Sequence, residues 1–208
     1  TWPGTEKTVY LYPKWTIADS SIVSVSGTKI TAKAYGSTTL SSSFMGQKMV
    51  IKVNVTKPTL ASATVTLKTN SYYYDGKAKK PAVASVVVNG KKLTAGTDYT
   101  VSYANNINIG TAIVKITGKG SYGGTVSKAF TIIPKQTTGV KQTSPYVTYG
   151  VKIAWNKVAG VDGYQVYAAT SQTGSYSYIG RTANTYATKT GLKSGTVYYF
   201  KVRAYKVV

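Results

Sequence analysis

Apolar and polar side chains alternate with a period of two in short runs along the chain, and Gly, Asn, Asp and Pro separate the runs. Such alternation marks half-buried β-strands, whereas an amphipathic helix needs apolar positions three and four residues apart, a spacing the chain lacks. Ile22–Val25, Lys29–Ala32, Ser37–Leu40 and Val50–Val55 are predicted strands, with turns at Ser26-Gly27 and Tyr35-Gly36. Further on, Val86-Val87-Val88 and Lys91-Lys92-Leu93 flank Asn89-Gly90. A type I′ turn needs positive φ at both central residues, which Asn and Gly tolerate best, so this is the clearest hairpin in the chain. Tyr99, Val101 and Tyr103 alternate with polar residues, as do Ala112, Val114 and Ile116, then Phe130 and Ile132, and then Val151, Ile153 and Trp155. In the last run Phe200, Val202 and Ala204 share one face, which leaves Tyr199, Lys201, Arg203 and Tyr205 on the other.

Many short strands divided by turn residues point to sandwiches, so the expected fold class is all-β, as tandem immunoglobulin-like β-sandwich domains. Linker-like stretches at Thr56-Lys57-Pro58 and at 135–142 divide the chain into three expected modules: 1–57, 58–136 and 137–208. The opening strands of the first are expected to be compressed into Thr8–Pro13 or absent. The third is expected to lack its last strand, because the sequence ends at Val208.

Three resemblances accompany this division. Trp15, then Asp19-Ser-Ser-Ile-Val-Ser-Val25 and Gly27-Thr-Lys-Ile-Thr-Ala-Lys-Ala-Tyr-Gly36, resemble the bacterial Ig-like group 2 family. Tyr74-Asp-Gly-Lys77, Asn89-Gly-Lys91, Gly96-Thr-Asp-Tyr-Thr-Val-Ser-Tyr-Ala-Asn-Asn106 and Gly118-Lys-Gly-Ser-Tyr-Gly-Gly124 resemble an Ig-like repeat of clostridial surface proteins. Trp155, Gly163-Tyr-Gln-Val-Tyr167 and Gly195-Thr-Val-Tyr198 resemble a fibronectin type III domain. There Trp155 is expected in the core, and Tyr198 is expected to fix a corner through its hydroxyl. Together these resemblances imply a secreted or wall-attached protein of a Gram-positive bacterium, without enzyme activity.

Composition narrows the chemistry. The 208 residues contain no Cys and no His, which removes disulfides, thiolate chemistry and the common catalytic triads. The five acids are Glu6, Asp19, Asp75, Asp98 and Asp162, and no two stand in an Asp-x-Asp spacing suited to calcium. Asp75 and Asp98 share a module, but both stand in turn contexts, where Asp bonds its own backbone. No catalytic, cofactor-binding or metal-binding residue is therefore expected. The residues singled out as structural are Trp15, Trp155, Tyr198, Asn89 and Gly90.

The formal net charge is +21, divided as +5, +8 and +8 over the three modules and carried almost entirely by lysine. Sequence-reading proteins favour arginine for bidentate contacts to bases, so nucleic acid is not an expected partner. A diffuse positive field suits anionic cell-wall polymers or glycans, or keeps a surface protein soluble. Nineteen tyrosines add stacking surface, and Tyr72, Tyr73, Tyr176 and Tyr178 are further candidates for exposure. Tyr199, Lys201, Arg203 and Tyr205 are the candidate ligand contacts. No apolar run is long enough for a membrane helix, and Thr1 opens no signal peptide, so the segment reads as an excerpt of a longer chain. The expected role is a monomeric extracellular stalk or interaction region. The alternative is a wall-polymer or carbohydrate-binding accessory module of a secreted hydrolase or adhesin. Host surface proteins are further expected partners.

Overall fold

The computed structural model describes residues 13–44, 46–144 and 149–208. By their contacts the residues divide into two compact units, Thr1–Pro58 with Ser121–Gly123, and Thr59–Gly120 with Gly124–Val208. Apart from one turn of 3-10 helix, the regular structure of the described residues is β-strand, and no helix among them is long and apolar enough to cross a membrane. Of Thr8–Pro13, where compressed opening strands are expected, all but Pro13 fall outside the described residues.

The first unit contains β1 (Thr16–Ile17), β2 (Val23–Ser26), β3 (Lys29–Ala32), β4 (Gly36–Phe44) and β5 (Gln47–Val55). β1, β4 and β5 form one antiparallel sheet, and β2 and β3 form a hairpin. Between them lie Ile22, Val23 and Leu40, with Trp15, Ile17, Val25, Val53 and Val55 packed around. Ile22 lies over Gly36, where a β-carbon would come within 2.5 Å of the Ile22 side chain. On β4 the buried positions alternate as Thr38, Leu40 and Ser42. The two hydroxyls are satisfied locally: Thr38 accepts from the Asp19 N–H at 2.9 Å, and Ser42 donates to the Lys14 carbonyl at 2.9 Å.

The second unit begins with a helical turn at Leu60–Ser62, which buries Leu60 and is capped by the Thr59 hydroxyl. It continues with β6 (Thr64–Leu67), β7 (Ser71–Tyr73), β8 (Val83–Val88), β9 (Lys91–Lys92), β10 (Tyr99–Ala104), β11 (Gly110–Gly118) and β12 (Thr125–Ile133). The sheet β6-β8-β9 faces the sheet β10-β11-β12-β7, with Val65, Val86, Val114, Ile116 and Phe130 among the buried side chains. Asn89 has φ 48° and Gly90 φ 78°, the left-handed pair that a type I′ turn requires between β8 and β9. Tyr72 corrects one expectation. β7 pairs in parallel with β12, which turns the Tyr72 ring edge-on to Phe130 at 5.9 Å instead of leaving it fully in solvent. Tyr73, the next residue on the pleat, is 58% exposed.

The remaining strands are β13 (Lys141–Ser144), β14 (Gly150–Ala154), β15 (Gly163–Ala169), β16 (Ser177–Thr182), β17 (Tyr186–Thr190) and β18 (Tyr199–Tyr205). They alternate between two sheets, β13-β14-β17 and β16-β15-β18. Val151, Ile153 and Trp155 from one sheet meet Tyr164, Val166 and Ala204 from the other. The buried Tyr164 hydroxyl accepts the Val158 N–H at 2.8 Å, and its ring packs edge-on to Trp155. The chain is thus an all-β tandem of immunoglobulin-like sandwiches, each pair of sheets closing on its own apolar layer.

Candidate functional site

Register across β16, β15 and β18 decides which side chains share the outer face of that sheet. Tyr164 and Val166 point into the core, so Gln165 and Tyr167 point out. Tyr167 stands opposite Tyr178 on β16 and Lys201 on β18, while Gln165 stands opposite Arg181 and Arg203. Two rungs follow, Tyr178–Tyr167–Lys201 and Arg181–Gln165–Arg203. A bulge at Val166/Tyr167 lets the first rung keep its facing despite the shift in β16.

Contacts hold these groups in place. The Tyr167 and Tyr178 rings meet edge-to-face at 5.6 Å, and the Tyr167 hydroxyl donates to Gln165 Oε1 at 3.1 Å. Lys201 Nζ lies 3.7 Å from the centre of the Tyr176 ring, and Tyr176 is tied by its hydroxyl to the Gln172 carbonyl. A cation fixed over an aromatic face loses less side-chain entropy on meeting an anion than a free lysine does. The same pairing recurs on the opposite sheet, with Lys152 Nζ 4.5 Å from the Tyr186 ring centre.

Of the expected contact residues, Lys201 and Arg203 lie together on this face and are exposed. Tyr205 is half-buried and lies over Gly163, where a β-carbon would come within 3.1 Å of the ring. Tyr199 instead lines a separate cleft of about 420 Å³, with Val140, Gln142, Leu192 and Phe200. Tyr176 is half-buried beneath Lys201, and Tyr178 is 53% exposed. Sequence reasoning missed Tyr167, Gln165 and Arg181. The alternation in Gly163–Tyr167 could have placed the first two, whereas the cross-strand register that aligns Arg181 leaves no mark in the sequence.

The structural residues sit as follows. Trp155 is buried, Trp15 packs beside Leu40, and the Tyr198 hydroxyl accepts the Lys193 N–H at 3.3 Å just before β18.

All four described carboxylates are engaged close to where they stand. Asp19 accepts the Ser21 hydroxyl and N–H, Asp75 accepts the Lys77 N–H and pairs with Lys79 at 2.6 Å, and Asp98 accepts the Thr94 N–H. Asp162 pairs with Lys206 at 2.5 Å and accepts the Val207 N–H. Among the described residues no three His, Cys, Asp or Glu side chains gather as a metal would require.

The bond from Ser21 to Asp19, and those from Lys79 to Asp75 and Lys206 to Asp162, hold these three carboxyls below the ordinary aspartate value of 3.8. A depressed folded value stabilises the fold above the unfolded value, and the contribution is lost as pH falls through the folded one. With no His to titrate, the thermal midpoint is expected to stay level from about pH 8 to pH 5 and to fall only below about pH 4. A midpoint that already drops between pH 7 and pH 5 would contradict this assignment.

No known protein-family model matches the chain, and no curated protein matches it. Among solved structures it is similar to a segment of consecutive domains from titin, at 16% identity over 93% of this chain and 83% of that one, with a TM-score of 0.33. It is also similar to the FN1–FN3 domains of chicken CNTN1, at 14% identity over 82% of this chain and 70% of that one, with a TM-score of 0.31.

Proposed function

We propose that the chain is a non-catalytic extracellular stalk and interaction region of a Gram-positive cell-surface or secreted protein, with modules at 1–57, 58–136 and 137–208. The observation that carries this reading is the fate of the carboxylates. In a chain without His or Cys they are the obvious acid–base groups, and all four described ones are bonded to turns or to neighbouring lysines. What remains is sandwiches in series, an architecture common among cell-surface domains, with an exposed face of tyrosines and cations.

An antibody raised against the chain tests this directly. It is expected to label intact producing cells or their culture medium, and brief trypsin treatment of intact cells is expected to remove the cell-bound signal. Labelling that appears only after lysis would overturn the extracellular reading. The rungs on β15, β16 and β18 favour a second reading, an accessory module that docks a secreted hydrolase or adhesin onto anionic wall polymer or glycan.

A further inference from the structure

A groove of about 760 Å³ runs beside the cationic rung, bounded on one side by Tyr73, Ile133 and Lys135 and on the other by Tyr176, Lys201 and Arg203. Its volume lies within the range of ligand sites. Three cations line it and no acid does, although Asp75, Asp98 and Asp162 belong to the same unit; Asp75 and Asp162 are already paired with Lys79 and Lys206, and Asp98 accepts the Thr94 N–H. Exposed apolar surface from Tyr73 and Ile133 lies beside the charges rather than apart from them. Water-exposed apolar groups next to fixed, unneutralised cations suit a ligand that has both an apolar face and a negative charge.

The ring geometry narrows the class further. Lys201 already covers a face of Tyr176, and Tyr167 is engaged edge-on with Tyr178. Flat bases need open ring faces for stacking, so these pairs disfavour a nucleic acid. A sugar ring asks less: its C–H face can rest on Ile133 and Pro134, its hydroxyls can meet Gln136 and tyrosine hydroxyls, and its acidic substituent can meet Lys201 and Arg203.

We infer that this groove binds an acidic sugar chain, with Lys201 and Arg203 holding its carboxylate or phosphate groups, Tyr73 and Ile133 carrying its rings, and the Tyr176 ring holding Lys201 in position. The inference rests on the second reading above and names its ligand class.

Affinity electrophoresis of the intact chain tests it, with polygalacturonate and purified wall teichoic acid as the two anionic sugar probes. Retardation by at least one of them is expected, and the pair tells carboxylate from phosphate preference. Neutral dextran is expected to leave mobility unchanged, and the acidic non-sugar polymer polyglutamate to bind at least tenfold more weakly. The double variant Lys201→Ala/Arg203→Ala is expected to weaken binding by tenfold or more. Lys29→Ala/Lys128→Ala removes the same charge elsewhere on the surface and is expected to stay within twofold. Tyr176→Phe is expected to keep the affinity and Tyr176→Ala to lose it, with unchanged circular dichroism confirming that each variant is folded. Equal losses from the two double variants, or equal binding of polyglutamate or oligo-dT, would reduce the effect to net charge and overturn the inference, as would failure to bind either sugar polymer. A chain found on intact cells that ignores both polymers loses this site but keeps its place outside the cell. One that binds them yet is found only after lysis keeps the site and loses the location.

Discussion

Trp155→Ala is expected to unfold the sandwich of β13–β18 while the sandwich around Leu40 stays folded. Trp155 is 5% exposed and sits at the centre of a layer built from Val151, Ile153, Tyr164, Val166 and Ala204. Its ring packs on Tyr164 at 5.3 Å with an interplanar angle of 63°. Truncating a buried Trp to Ala costs about 3–5 kcal/mol. At roughly 0.05–0.15 kcal/mol per residue, a module of this size holds only about 4–10 kcal/mol in all. The loss also frees Tyr164, whose hydroxyl fixes the Val158 backbone. Trp155→Phe keeps an aromatic ring in the layer. The Trp155 indole Nε1 is buried without a partner, so phenylalanine removes an unsatisfied donor along with some volume. It is expected to cost less than half as much as alanine. Amide NMR spectra read both outcomes: in Trp155→Ala the resonances of β14, β15 and β18 collapse while those of β4 and β5 stay put. Simultaneous loss of every resonance would show one continuous core and defeat the modular reading.

The residues behind that expectation also show what the sequence made legible. Val151, Ile153 and Trp155 alternate with Lys152 and Ala154, which puts them on one face because a pleated strand sends successive side chains to opposite faces, and the fibronectin type III resemblance made that face the core at Trp155. Asn89-Gly90 was equally transparent, since the turn demands a backbone conformation that few residues accept. Pairing between distant strands was not legible. Nothing local to Ser71–Tyr73 says that it runs parallel to Thr131–Ile133, and that pairing turns Tyr72 toward Phe130. The candidate site shares this limit. Parity within β18 put Lys201 and Arg203 on one face, but their neighbours Tyr167, Tyr178 and Arg181 arrive through the register of three strands. Tyr199 keeps the same parity, yet it lines a different cleft, because the face is long and its end passes Val140 and Gln142.

Leu40→Ala is expected to leave the first unit unfolded in a large fraction of molecules under conditions where the second stays intact. Inward positions on β4 read Thr38, Leu40, Ser42, so a single apolar side chain stands there, whereas β14 offers Val151 and Ile153 and is followed directly by the buried Trp155. Leu40 is 0% exposed, and its buried apolar companions are Val23, also fully enclosed, and Ile22, 9% exposed. Deleting its side chain costs about 2–5 kcal/mol. A module of this length holds roughly 3–8 kcal/mol at the usual stability per residue, so the loss takes a large share of it. Thr38 and Ser42 cannot collapse into the gap cheaply, because they are held by hydrogen bonds to Asp19 and Lys14, and between them they have one methyl group to offer. Limited trypsin digestion reads the result through the lysines of this unit. Cleavage at Lys29, Lys33, Lys48 and Lys52 is expected to accelerate by at least tenfold, while a fragment spanning the second unit persists. Since proteolysis of a transiently opened state follows its equilibrium population, a tenfold change corresponds to about 1.4 kcal/mol, well within the expected loss. Digestion rates within twofold of the parent would mean that Leu40 is not the centre of this core, and the thin inward face of β4 would need another source of stability.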